Sequence, residues 1–447
     1  MKKLFVAFIV ASVAFAGLNA QQSGETFVPL NYNSVKKKVE KSNADIQDPK
    51  KSLKASTWQK RGELYQDVFE VGLEQITEGM PISSLTLFYK EPTSIETETK
   101  DDGSLHEKYI YPNMIYNFVN GAFQDYERVN PISEDPLRTS MDAYYKALEL
   151  DEKGKISPKV KENFVALKAQ LKVEGVNNYY TSKYEEALHS FENVLEVNKH
   201  ELFAGEFDTV MVQFSGIISR EIAAKTDDKE LYKKAIAYYE ELAEVGFGGP
   251  NTWLQIKMDY ISITDTLGAL QVMQDAYAKY PDTINIIANL ADIYVQLKLY
   301  DEGIEKMEEV IAANPSIPES YYWQGRLLIY KEENEFIERA IEAYKKVSEL
   351  DPTIYYSWYD LGYIYYLQGQ DYYDRANSEE HDGTREELLK LGKEKYGEAI
   401  PVLEKAYELN DENPNVKVET LDLLQRIYYK EQMMDQYERV KELKNTI

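Results

Sequence analysis

The sequence predicts an all-α protein: about eight pairs of antiparallel helices in a row, with one small α/β insert in the first pair. Three observations predict it. A Trp, a Leu-Gly and a Tyr recur on one helical face, most completely across Trp358, Leu361, Gly362 and Tyr365, and in reduced form at Trp58, Gly62 and Tyr65 and at Trp253 and Tyr260. Pro281 and Pro315 stand one period of about 34 residues apart, and Pro352 follows slightly later. Between about residues 78 and 130 the helical pattern gives way to short runs of β-formers separated by turn residues.

Each of these residue types has a physical reason to recur. Gly362 and Ala399 are small, so two helix backbones can approach closely there. Trp358, Leu361 and Tyr365 share a face and fill the space between neighbouring pairs. A proline at 281, 315 or 352 cannot continue a helix and marks the turn into the next pair. The order Trp, two residues, Leu-Gly, two residues, Tyr resembles the opening of a tetratricopeptide (TPR) repeat. That resemblance covers most of the chain and implies a right-handed helix-turn-helix superhelix of about eight repeats.

The totals narrow the function classes. The chain has 447 residues and a net charge of −26, which disfavours nucleic acid and anionic lipid surfaces. Tyr outnumbers Phe by 37 to 15, and Tyr suits a thin two-layer array because its hydroxyl can stay wet while its ring is buried. With no cysteine there is no disulfide or thiolate chemistry. Lys2 and Lys3 followed by the apolar run Leu4 to Ala16 read as a signal peptide over residues 1–20, cut after Ala20 or, alternatively, after Ala16. After cleavage no stretch is long and apolar enough to span a bilayer. The Gln21-Gln22 start and the repeat pattern resemble exported TPR proteins of Bacteroidota, so the expected compartment is the periplasm.

Taken in order, residues 21–54 form a helical lead-in around Val35 to Lys41. The first repeat occupies 55–152 and is interrupted by the insert at about 78–130. The insert opens with Gly79, Met80 and Pro81 and a short apolar helix pattern (Ile82, Leu85, Leu87). Strand-like runs follow, starting at Ser94, Lys108, Met114 and Ala122, with turns at Asp102-Gly103, Pro112-Asn113 and Asn120-Gly121. Gly79-Met80, Pro92, Tyr109 to Tyr111 and Phe118 to Phe123 resemble the small domain of SmpA/OmlA-type (BamE-like) envelope proteins, although Lys90 stands where that family has its bend glycine. The second helix of the first repeat resumes at Pro136, and the array proper runs over 158–445. Repeat seven, opened by Trp358 and closed by Ala399, Leu403 and Ala406, carries an extra loop or helical segment at about 368–397.

TPR arrays hold extended peptides or proteins on the face lined by the first helix of each repeat, and the resemblance places specific residues there. Repeat seven offers Tyr356, Tyr359, Tyr363 and Tyr366; repeat six Tyr322, Arg326 and Ile329 with Tyr330 beside them; repeat eight Asp422, Arg426 and Tyr429. Rigid aromatics and arginines are common anchors of binding surfaces. The segment at 368–397 could instead cover this stripe. The clamp that some TPR domains use for peptide carboxylates is absent: Leu254, Met258, Glu319 and Trp323 replace its polar residues and only Asn289 matches.

No catalytic set, metal site or cofactor is expected. His106, His189, His200 and His381 form no helical ligand pair, and no phosphate loop or nucleophile elbow occurs. The acidic stretch Ser378 to Gly383 lacks the first and last ligands of a calcium loop, with Leu389 in the last place. Asp208-Thr209, Asp265-Thr266 and Asp282-Thr283 resemble the short O-glycosylation motif of exported Bacteroidota proteins, with Thr283 the accessible one. The leading expectation is a noncatalytic periplasmic scaffold that binds a protein or peptide, in envelope assembly or secretion. The alternative is a module whose Tyr-lined groove stacks on glycans or peptidoglycan.

Overall fold

The computed structural model describes residues 30–331 and 333–444; the expected signal peptide lies outside them. The chain divides into two compact units between Phe247 and Gly248.

In the first unit, α1 (Tyr32–Asp45) is capped by Asn31, whose side chain accepts from the Ser34 N–H. Its Val35 and Val39 pack on Tyr65 and Val68 of α2 (Ala55–Glu70). The partner of α2 is α4 (Pro136–Glu149), far along the chain, which starts with an Asp135 cap and Pro136 in its first turn. The Ser140 hydroxyl of α4 donates to the Gly62 carbonyl of α2 at 2.8 Å. Two further hairpins follow: α5 (Ser157–Tyr180) with α6 (Tyr184–Lys199), and α7 (Thr209–Thr226) with α8 (Lys229–Glu244).

Between α2 and α4 lie α3 (Ile82–Phe88) and four strands, β1 (Ser94–Thr99), β2 (Leu105–Ile110), β3 (Met114–Val119) and β4 (Ala122–Arg128). They form one antiparallel meander in sequential order. Asn120 and Gly121 both have positive φ, as a two-residue hairpin turn of the favoured hand requires. β2 begins before the run at Lys108, because Leu105 and His106 extend the pairing to Thr99 and Glu98. Met114, Tyr116 and Phe118 alternate inward and are buried. The sheet is docked by three anchors. Tyr116 donates its hydroxyl to the Gly72 carbonyl at 2.5 Å. Arg128 donates to the Phe69 carbonyl at 2.8 Å and lies over the Phe69 ring. Asn177 of α5 bonds both the N–H and the carbonyl of Tyr126.

The second unit is five hairpins: α9 (Pro250–Ser262) with α10 (Thr266–Lys279), α11 (Ile284–Gln296) with α12 (Tyr300–Ala313), α13 (Pro318–Ile329) with α14 (Asn334–Leu350), α15 (Tyr355–Ser378) with α16 (Asp382–Leu409), and α17 (Pro414–Lys430) with α18 (Met434–Lys444). The extra segment expected at 368–397 is not a separate body. It is the continuation of α15 and α16, leaving only residues 379–381 between them. Gly369 against Tyr396 and Gly392 against Tyr373 supply the close approach that lets the lengthened hairpin stay zipped.

Candidate functional site

In the second unit the first helices of successive hairpins meet side by side through polar and aromatic pairs. Lys257 on α9 donates to Asn289 on α11 at 3.0 Å. Tyr322 on α13 meets Tyr356 on α15 edge to face, with centroids 4.5 Å apart, and Arg326 lies 3.8 Å from Asp360. Tyr359 on α15 donates its hydroxyl to Glu419 on α17 at 3.2 Å.

These contacts sort the candidate residues into three groups. Tyr359 and Tyr363, one turn apart on α15, lie parallel with centroids 6.2 Å apart and an 8° tilt. Tyr363 is 41% exposed, and the exposed Arg426 stands beside it, Tyr366 and Asp422. Tyr366 itself is different. It is only 8% exposed because its ring stacks on Tyr396 of the lengthened α16, 5.7 Å away and tilted by 4°. The extension therefore covers one tyrosine of the stripe and leaves Tyr363 open.

A second group, Tyr322, Arg326 and Tyr356, is half-buried and joins the repeats together. Its centre is Asp360. Burial pushes the Asp360 carboxyl up, and Arg326, Tyr322 and Tyr344 oppose that only in part. The Asp360 Oδ2 and the Tyr344 hydroxyl are both buried without completing a hydrogen bond of good geometry, although Tyr322, Tyr344 and Arg326 all face the carboxylate. Burial, followed by the charge of Glu319, pushes the Tyr356 hydroxyl up to about 12.

The third group is peripheral. Tyr330 stacks on Tyr300 of α12 at 5.1 Å, and Tyr429, 66% exposed, packs on Tyr437 of its own hairpin at 5.8 Å. Ile329 is half-buried.

One contact recurs inside four of the hairpins. A Cβ added at Gly62, Gly175, Gly325 or Gly362 would fall under 3.0 Å from the side chain of Tyr144, Phe191, Tyr344 or Leu403 respectively. Each of those large residues stands one helical turn after a small one, namely Ser140, Ala187, Ala340 and Ala399. Small first-helix residue, small second-helix residue and a bulky one a turn later recur in four of the hairpins, and the full Trp-Leu-Gly-Tyr pattern accompanies them at Trp358 to Tyr365. These hairpins have the fold of tetratricopeptide repeats. No family model matches the chain, and no curated protein matches it. Solved structures similar to it include the C-terminal part of a TPR repeat-containing protein from Cytophaga hutchinsonii, at 16% identity over 60% of this chain and 91% of that one, with a TM-score of 0.37. A TPR repeats protein from Bacteroides fragilis is 16% identical over 57% of this chain and 97% of that one, TM-score 0.33. A thermophilic TPR protein from Thermus thermophilus is 15% identical over 44% and 90%, TM-score 0.31.

The other candidate positions have local partners. His106 contacts Ser104, His189 contacts Asp135, His200 stacks on Tyr145, and His381 contacts Glu379. Among the described residues no cluster of three or more His, Asp or Glu side chains could hold a metal ion, and no helix is long and apolar enough to cross a membrane. Asp208 and Asp265 cap α7 and α10, which puts Thr209 and Thr266 in helical first turns, whereas Thr283 is itself the residue before α11.

Sequence reading missed Asp360, Glu419 and Tyr396, each an ordinary residue until its neighbour from another helix is known. It also missed a cleft of about 360 Å³ in the first unit, lined by Lys168, Lys172, Asn198, Glu206, Phe207, Asp208 and Thr209. Its charges are already paired, Lys168 with Glu206 at 2.9 Å and Lys172 with Asp208 at 2.7 Å.

Proposed function

We propose that this TPR protein is a noncatalytic scaffold that holds an extended segment of another protein across the first-helix face of residues 355–430. The observation that carries the reading is the parallel Tyr359–Tyr363 pair, in which Tyr363 is exposed, with Arg426 and Glu419 beside it. Pre-stacked rings lose little conformational freedom when a partner covers them, and a nearby guanidinium and carboxylate give its backbone and charged groups directional contacts. Lys2, Lys3 and the apolar run after them support export, and the acidic balance of the chain supports a protein rather than a nucleic acid partner. The proposed setting is the periplasm, in envelope assembly or secretion.

The open rings of Tyr363 and Tyr429 favour one second reading, stacking on sugar rings of a glycan. Calorimetry of the purified protein against a peptide panel and a glycan panel separates the two. The scaffold reading expects peptide binding that Tyr359→Ala/Tyr363→Ala removes, and glycan binding lost in that variant, without peptide binding, contradicts it. Amino-terminal sequencing and fractionation of native material test export: an intact Met1 in the cytoplasmic fraction would overturn it.

A further inference from the structure

The two edges of the inserted sheet are treated differently. The outer edge of β4 is occupied: Gly79 donates to the Phe123 carbonyl at 3.0 Å, Phe123 donates to the Met80 carbonyl at 2.8 Å, and Asn177 brackets Tyr126. All six residues of β1, at the other edge, are exposed, and among the described residues no strand pairs with its outer side. Lys100 donates to the Ser104 carbonyl at 2.9 Å, which fixes the phase of the β1–β2 ladder. By antiparallel alternation, Ser94, Glu96 and Glu98 bond to β2, and the N–H and carbonyl groups of Ile95, Thr97 and Thr99 point outward.

The side chains of this edge also alternate. Ile95 lies in one row with Tyr109 and Tyr116 on the inner face, whereas Glu96 and Glu98 project from the other face, Glu96 beside Lys108 and Glu98 beside His106 and paired with the exposed Lys100 at 2.5 Å. A second copy of the chain pairing β1 with β1 would set these glutamates against each other, and like charges directly opposite destabilise a strand pair. The net charge of −26 opposes the same pairing at longer range. A strand with basic residues at alternate positions and aliphatic ones between them meets both faces: its cations sit opposite Glu96 and Glu98, and its aliphatic residues extend the Ile95–Tyr109–Tyr116 row. We propose that β1 is a docking edge that takes an extended, alternately basic and aliphatic segment of another protein as a fifth strand. This surface lies in the first unit and is independent of the tyrosine face.

The probe is a synthetic ten-residue peptide of alternating Lys and Val, added to the full chain, with hydrogen exchange read amide by amide. Binding should slow exchange at Ile95, Thr97 and Thr99 at least tenfold and leave the paired amides of β2 unchanged. An alternating Glu and Val peptide should give no protection. Thr97→Pro removes an outward N–H while sparing the β1–β2 ladder, which edge strands tolerate, and it should abolish the effect with melting unchanged. Glu96→Lys/Glu98→Lys should transfer the preference to the Glu and Val peptide, so the test does not depend on one variant folding. Tyr359→Ala/Tyr363→Ala should bind the Lys and Val peptide as the wild type does. No protection at the three amides, equal protection by both peptides, or full binding by Thr97→Pro would overturn the proposal. A concentration-dependent dimer abolished by Thr97→Pro would also overturn it, by making a second copy the occupant.

Discussion

Gly362 of α15 lies so close to Leu403 of α16 that a Cβ on the glycine would sit 2.6 Å from the leucine Cγ. Cγ is a branch point and cannot swing aside as a chain end can. An alanine there would gain about 1 kcal/mol in helix propensity and lose more to the clash; a leucine would force the helices apart. Gly362→Leu, or Ala340→Phe at the fully buried small position of α14, should cost about 1–3 kcal/mol or more. Gly216→Ala should be milder, because its new methyl carbon would lie 3.2 Å from the nearest atom of Tyr239. Thermal melting by circular dichroism checks the order; Gly216→Ala melting below Gly362→Leu would refute it.

Asp360 gives a pH dependence whose sign follows from its burial. Its folded-state carboxyl ionises less readily than in the unfolded chain, because burial outweighs the help from Arg326. The native state therefore binds the proton more tightly. What Asp360 contributes to stability is highest at low pH, and it declines as pH rises from the ordinary carboxylate range, about 4, through the raised value. Asp360→Asn removes that decline. Its melting temperature relative to wild type should rise between those pH values, and parallel melting curves across the range would contradict the assignment.

The hairpins were legible because their signals are local. Trp358, Leu361, Gly362 and Tyr365 lie within three turns of one helix, and the insert declared itself through turn pairs such as Asn120-Gly121. The site was legible only in part. Tyr359 and Tyr363 were placed by the tetratricopeptide resemblance, but Tyr366 is covered by Tyr396, a residue about thirty positions away whose approach depends on two more glycines, Gly369 and Gly392. Asp360 carried no signal of its own in the sequence, since its partners Arg326 and Tyr344 come from another repeat. The open edge of β1 was likewise invisible before the strand order was known.

Arg128 holds the inserted sheet to the first hairpin. It donates to the Phe69 carbonyl, lies over the Phe69 and Tyr126 rings, and stands 3.8 Å from the poorly exposed Glu174. Burial pushes the Glu174 carboxyl up even with Arg128 present. Arg128→Met should loosen the sheet, at a cost of about 1.5–3 kcal/mol for the charged hydrogen bond. Hydrogen exchange should quicken in β3 and β4 before the helices, and uniform exchange throughout the first unit would argue against this anchoring role.

The tyrosine pair makes a prediction about stability as well as binding. Tyr363 is open and Tyr359 half-buried, so Tyr363→Ala should shift melting little, within about 0.5 kcal/mol as for ordinary surface changes. Tyr366→Ala should cost about 3 kcal/mol or more by emptying the space against Tyr396. Comparable losses at the two positions, in a denaturant titration, would mean that the stripe is packing rather than surface.

The most direct test of the scaffold account is site-specific photocrosslinking in native cells, with the reactive group placed at Tyr363, at Arg426, and at Glu349 on the exposed side of α14. The account predicts one stoichiometric protein adduct from the first two positions, lost when Tyr359 is changed to Ala, and none from Glu349. Adducts from Glu349 alone, or from no position, would contradict it.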